Sequence, residues 1–170
     1  LEHASTSFIF TPLEARFQDL EATFNYQEYI PSQHAQIQPS SGKVEAEIVS
    51  YDSTSGTINI QALKGIAWPT PLLNLFTKTV GNYVERTLLL TKPPHFTVNG
   101  RVDRNPSAHN TNLSISLNSP ADLHYEFLGK ELHFENLLTN IQLVKKEVQL
   151  KDIQASALGG KFKGNLFIQN

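Results

Sequence analysis

The residues of widest chemical reach in this chain are its six histidines: His3, His34, His95, His109, His124 and His133. No H-x-x-x-H or H-E-x-x-H spacing links them, so no pair is set on one helical face to hold a metal. His124 and His133 fall on alternating runs opposite the apolar positions, where solvent-facing side chains are expected. Asp103, Asp122, Glu126 and Glu131 supply carboxylates of the kind a glycosidase dyad needs. Any β protein contains such carboxylates, and nothing in their sequence spacing marks a dyad. There is no G-x-S-x-G, no P-loop and no G-x-G-x-x-G. Gly159-Gly160 and Gly164 lie between strand-like runs, not at a strand-to-helix turn, so they form no phosphate cradle. Asn112-Leu113-Ser114 fits a glycosylation sequon, which has meaning only in a glycosylating host. Cysteine is absent, which removes disulfides, thiol catalysis and Cys-ligated zinc. The expectation is a non-enzymatic chain with no metal and no cofactor.

Composition narrows the class further. Fourteen basic residues against sixteen acidic ones leave a net charge of −2. No basic excess exists to drive binding to a phosphate backbone, so nucleic acid is not an expected partner. Apolar residues at 39% and charged residues at 18% describe a folding chain rather than a disordered one. One Trp and five Tyr are thin for the aromatic platforms that sugars stack on. The 170 residues suffice for a single β-rich domain over 1–170. No run approaches the ~20 apolar residues of a membrane span. With Leu1-Glu2-His3 at one end and a strand-like run at the other, the chain reads as part of a longer protein. Its anchor or export signal is then expected outside these residues.

The elements that must position any site read mostly with period two. Val44-Glu45-Ala46-Glu47-Ile48, Thr57 to Ala62, Phe96 to Val102, Leu113 to Leu117 and Leu123 to Phe127 alternate apolar with polar. Turn signals separate them: Pro39-Ser40-Ser41-Gly42, Asp52-Ser53-Thr54-Ser55-Gly56, Arg104 to Ser107 and Ser119-Pro120. Short strands joined by such turns predict an antiparallel meander. One stretch departs from this. Thr70-Pro71 is an N-cap with Pro at the first helical position. Leu72, Leu75, Phe76, Val80 and Tyr83 then recur at helical spacing and predict one amphipathic helix, either core or a plug over the sheet.

Three places share a local signature in which the parity of the apolar positions changes. Phe17 is odd, whereas Leu20, Ala22 and Phe24 are even, with Asp19 between. Leu132 and Phe134 are even, whereas Leu137, Ile141 and Leu143 are odd, with Asn136 between. Val148 and Leu150 are even, whereas Ile153, Ala155 and Ala157 are odd, with Asp152 between. Side chains alternate across a strand, so one face stays apolar only if an extra residue is inserted. A bulge does this and bends the strand, and Asp or Asn tolerates the backbone it needs. A sheet folded over at a line of such corners would be U-shaped in section, with an apolar inner face.

The run Val148 to Leu166 resembles the C-terminal region of the AsmA/TamB-like bacterial envelope family. It has an alternating strand, the Asp152-Ile153-Gln154-Ala155 step, the Gly159-Gly160 turn, and an alternating strand containing Gly164. Leu132 to Leu143 is similar to the strand before it, and Phe17 to Tyr26 is similar more distantly. The resemblance implies a curved, taco-like sheet in the periplasm, its parent chain anchored in the inner membrane by a helix outside these residues. It implies phospholipid or another envelope lipid as partner, along with neighbouring β repeats of the same parent chain, and no catalytic residues. Phe134, Leu137, Ile141, Leu143, Val148, Leu150, Ile153, Phe162, Leu166 and Ile168 are then the expected lining of a lipid groove. A structural or protein-binding β module of a secretion or adhesion assembly is the competing expectation.

Overall fold

The computed structural model describes residues 3–26, 40–67, 89–90, 93–103, 111–119, 123–127, 130–145 and 147–168. These residues form strands β1 (His3–Phe10), β2 (Glu14–Tyr26), β3 (Ser40–Asp52), β4 (Thr57–Ile66) and β5 (Leu89–Leu90). They continue with β6 (His95–Asp103), β7 (Asn112–Ser119), β8 (Leu123–Phe127), β9 (Lys130–Val144), β10 (Glu147–Ala157) and β11 (Gly160–Ile168). Every alternating run named above falls inside one of these strands. The expected helix with Leu72, Leu75, Phe76, Val80 and Tyr83 lies outside the described residues. Leu89–Leu90 is a short strand that the periodicity does not reveal.

The strands make one open antiparallel sheet in the order β1-β2-β3-β4-β6-β7-β9-β10-β11, with β8 and its partner β5 branching from β9. Strand β9 is long enough to serve two neighbours on one side. Its residues 137–144 pair with β7 and its residues 130–134 pair with β8. Sequence neighbours are mostly sheet neighbours, as short connections favour.

The tight turns follow from local chemistry. Gly56 N donates to Asp52 O at 2.8 Å, closing the β3–β4 hairpin. Within it the Asp52 carboxylate accepts from Thr54 N at 2.8 Å and from Ser55 Oγ at 2.9 Å. Between β10 and β11, Ala157 pairs with Gly160, so the two loop residues are Leu158 and Gly159, at φ 52° and 76°. Two successive positive φ values match a twisted two-residue hairpin. Gly160 belongs to the strand, one residue on from the turn expected at Gly159-Gly160.

The core lies on one face of the sheet. Ala22, Val44, Ala46, Ile60, Leu63, Ala67, Phe96, Val98, Val102, Leu113 and Ile115 are buried there as one cluster, with Leu20, Val49, Ile58, Ile141 and Leu143 packed against it. Leu113 is fully enclosed. Burying a side chain of that size contributes roughly 1.5–3 kcal/mol. No buried side-chain polar atom among the described residues lacks a partner.

Candidate functional site

The bulges expected at Asp19, Asn136 and Asp152 are present, with φ of 50°, 53° and 54°, in an open sheet. A fourth occurs at Ala62, with φ 52°. Each sits where the register slips by one residue: β1–β2 for Asp19, β4–β6 for Ala62, and β9–β10 for Asn136 and Asp152. Strand β3 changes parity too, since Val44 and Ala46 and then Val49 face the core.

A common device holds the bends at Asp19, Ala62 and Asp152. The left-handed residue turns the preceding peptide out of the regular ladder, so side chains of the flanking strands take over its bonds. At Asp152 the Lys151 carbonyl accepts from Thr139 Oγ1 at 3.2 Å on β9. The Asp152 amide donates to Asn165 Oδ1 at 2.8 Å on β11. At Asp19 the Gln18 carbonyl accepts from Thr6 Oγ1 at 3.0 Å. At Ala62 the amide donates to Asn99 Oδ1 at 2.7 Å. A short side chain opposite the bulge thus replaces a lost backbone partner.

The bends keep one face apolar from edge to edge. One row of direct cross-strand partners runs Phe8, Phe17, Val49, Ile60, Gly100, Leu113, Leu143, Val148, Ile168. A second runs Leu63, Val98, Ile115, Ile141, Leu150, Leu166. At ~4.8 Å per strand the first row extends roughly 40 Å along the sheet. Gly100 interrupts it because its φ of 123° suits glycine, and a Cβ there would fall on the Asn112 carbonyl. The centre of this face is closed to solvent and the margins are bare. Phe8, Phe10 and Phe17 are 69%, 76% and 41% exposed on one side. Phe162 and Leu166 are 48% and 49% exposed on the other.

The structure brings the residues expected to line a groove onto this face of β9, β10 and β11. Leu137 is buried. Phe134, Ile141, Leu143, Val148, Leu150 and Ile153 are half-buried. Phe134 meets Phe162 edge to face, ring centres 6.3 Å apart. Ile168 is placed by its backbone pairing with Val148. The matching margin at Phe8, Phe10 and Phe17 was not among the expected residues, although Phe8 and Phe10 already stand at strand spacing in the sequence.

The opposite face carries the ion pairs, with Ile9, Ile66, Leu138 and Phe167 exposed among its polar side chains. Lys43 pairs with Glu45 at 2.7 Å and with Glu21 at 3.7 Å, and Lys64 pairs with Glu45 at 3.5 Å. The hydrogen bond to Glu45, with the charges of Glu21 and Glu45, raises the Lys43 ammonium above its ordinary value. The same bond, the Lys43 charge and a bond from Lys64 lower Glu45. An open trough of about 670 Å³ crosses this face from Lys43 and Lys64 to Asp152 and Gln154, with Ser116 Oγ donating to Asn140 Oδ1 at 2.9 Å inside it.

Of the polar candidates, Asp103 is buried at the end of β6, paired with Thr57, whereas Glu126 and Glu131 are direct backbone partners across β8 and β9. Asp122 lies outside the described residues. His133 is exposed and pairs through its backbone with His124. The described residues hold no cluster of metal-ligating side chains and no helix long and apolar enough to cross a membrane. No family model matches the chain, and comparison with curated proteins and with solved structures returns no match.

Proposed function

We propose that this chain is an AsmA/TamB-like lipid-handling sheet of the bacterial cell envelope. Its bare apolar margins bind or conduct the acyl chains of a phospholipid or another envelope lipid. The observation that supports this most directly is the pair of bare apolar margins, Phe8, Phe10 and Phe17 on one side of the sheet and Phe162 and Leu166 on the other, flanking an enclosed apolar centre. Exposed apolar surface of this kind marks an interaction site rather than a neutral patch. The corners at Asp19, Ala62, Asn136 and Asp152 add a bend line, which in this reading gives the sheet a taco-like, U-shaped section. The domain then works in the periplasm without catalysis, its parent chain anchored in the inner membrane.

Native mass spectrometry of gently extracted protein tests the reading. Phospholipid is expected to co-purify, and Leu166→Asp with Phe162→Asp should lower its occupancy at least about tenfold by placing charge where acyl carbon packs. Protein free of lipid that also fails to take up lipid from vesicles overturns it. The competing reading, a structural β module acting through strand edges, draws on the open outer strands β1 and β11. It predicts association without lipid.

A further inference from the structure

Strand β1 is an outer strand of the sheet. Proteins with open sheets blunt their edge strands with charge, proline or a bulge. Strand β1, His3-Ala4-Ser5-Thr6-Ser7-Phe8-Ile9-Phe10, has no Lys, Arg, Asp, Glu or Pro, and the bulge beside it is on β2 at Asp19. Its pairing geometry also shows which groups point outward. Thr11 N donates to Glu14 O at 2.8 Å, so this pair is hydrogen-bonded. Hydrogen-bonded pairs alternate along an antiparallel ladder, so Ile9 and Ser7 also face β2. Ala4, Thr6, Phe8 and Phe10 therefore turn their N–H and C=O groups to the open edge.

We infer that β1 pairs antiparallel with β1 of a second copy of this chain, about a two-fold axis through Ser7. This register sets Ala4 opposite Phe10 and Thr6 opposite Phe8. Residues whose backbones face outward meet their counterparts, and the apolar face stays on one side across the junction. The exposed rings of Phe8 and Phe10 each lie beside a small side chain of the other copy. Two β1 strands bring no Lys, Arg, Asp or Glu together, whereas the other outer strand, β11, carries Lys161 and Lys163. The inference stands apart from what the apolar face carries, because it rests on backbone groups and its readout is mass.

Ser7 pairs with Ser7 of the other copy on the polar face, in a non-hydrogen-bonded position where side chains approach most closely. Light scattering over a dilution series should show the 19.0 kDa chain passing to twice that mass. Ser7→Lys and Ser7→Glu should each weaken the dimer at least about fivefold, since like charges then stand directly opposite. An equimolar mixture of the two variants should restore the doubled mass, which also shows that both are folded. Wild-type protein that stays monomeric throughout, a Ser7→Lys variant that still dimerises normally, or a mixture that stays monomeric overturns the inference.

Discussion

Leu158 occupies a position its side chain resists. Its φ is 52°, and it is 92% exposed, so packing returns nothing for the strain. A left-handed residue with a Cβ costs roughly 1–2 kcal/mol, less for Asn, whose short polar side chain bonds locally. Leu158→Asn should therefore stabilise the domain by about 0.5–1 kcal/mol, read as a higher urea midpoint with an unchanged slope. An unchanged or lower midpoint would show that the loop is not held in this conformation. The corners obey the same rule. Asp19, Asn136 and Asp152 are residue types that accept positive φ, and at Asp19 and Asp152 the side chains of Thr6, Thr139 and Asn165 supply the bonds the peptides lose.

Asp52 ties a residue-scale bond to an element, the β3–β4 hairpin. The Ser55 hydroxyl, then the Thr54 amide, holds its carboxyl below the ordinary carboxylate value. A lowered folded value means the contribution is present above the unfolded value and is lost as pH falls through the folded one. The hairpin should hold at neutral pH and loosen at acid pH, below the ordinary carboxylate range. Asp52→Asn should weaken it at neutral pH and flatten that acid limb, as urea midpoints across pH would show; an unchanged limb would place the acid sensitivity elsewhere. This hairpin was legible in sequence, because Asp-Ser-Thr-Ser-Gly carries its own turn chemistry. The three Asx corners were legible for a similar reason, since a parity change coincided with a residue suited to the bend. Ala62 was not, because alanine carries no signal for a left-handed backbone. The Gly159-Gly160 turn was misplaced by one residue, since the Ala157–Gly160 register, not the glycine pair, decides which residues form the loop. The full rows were hidden because the β4–β6 and β7–β9 pairings join segments that local patterns cannot match.

Across the whole molecule, enclosure falls from the centre of the sheet toward both edges, and opening free energies should follow. Strands β6 and β7 carry Phe96, Val98, Leu113 and Ile115 in the buried cluster and have a paired strand on each side. Strands β1 and β11 are paired on one side and bear exposed Phe8, Phe10, Phe162 and Leu166. Amide hydrogen exchange should thus be slowest in β6 and β7 and fastest in β1 and β11, because low burial permits local opening without global unfolding. The same measurement separates the two proposed associations. Lipid on the bare margins should slow exchange in β2, β10 and β11 while leaving β6 and β7 unchanged. Pairing of two copies should slow the outward amides of Thr6, Phe8 and Phe10, only as protein concentration rises and without lipid. If lipid instead slowed the centre as much as the margins, acyl chains would be entering the enclosed part of the row. The site would then be the buried cluster around Leu113, opened by the ligand, and not the exposed aromatic edges.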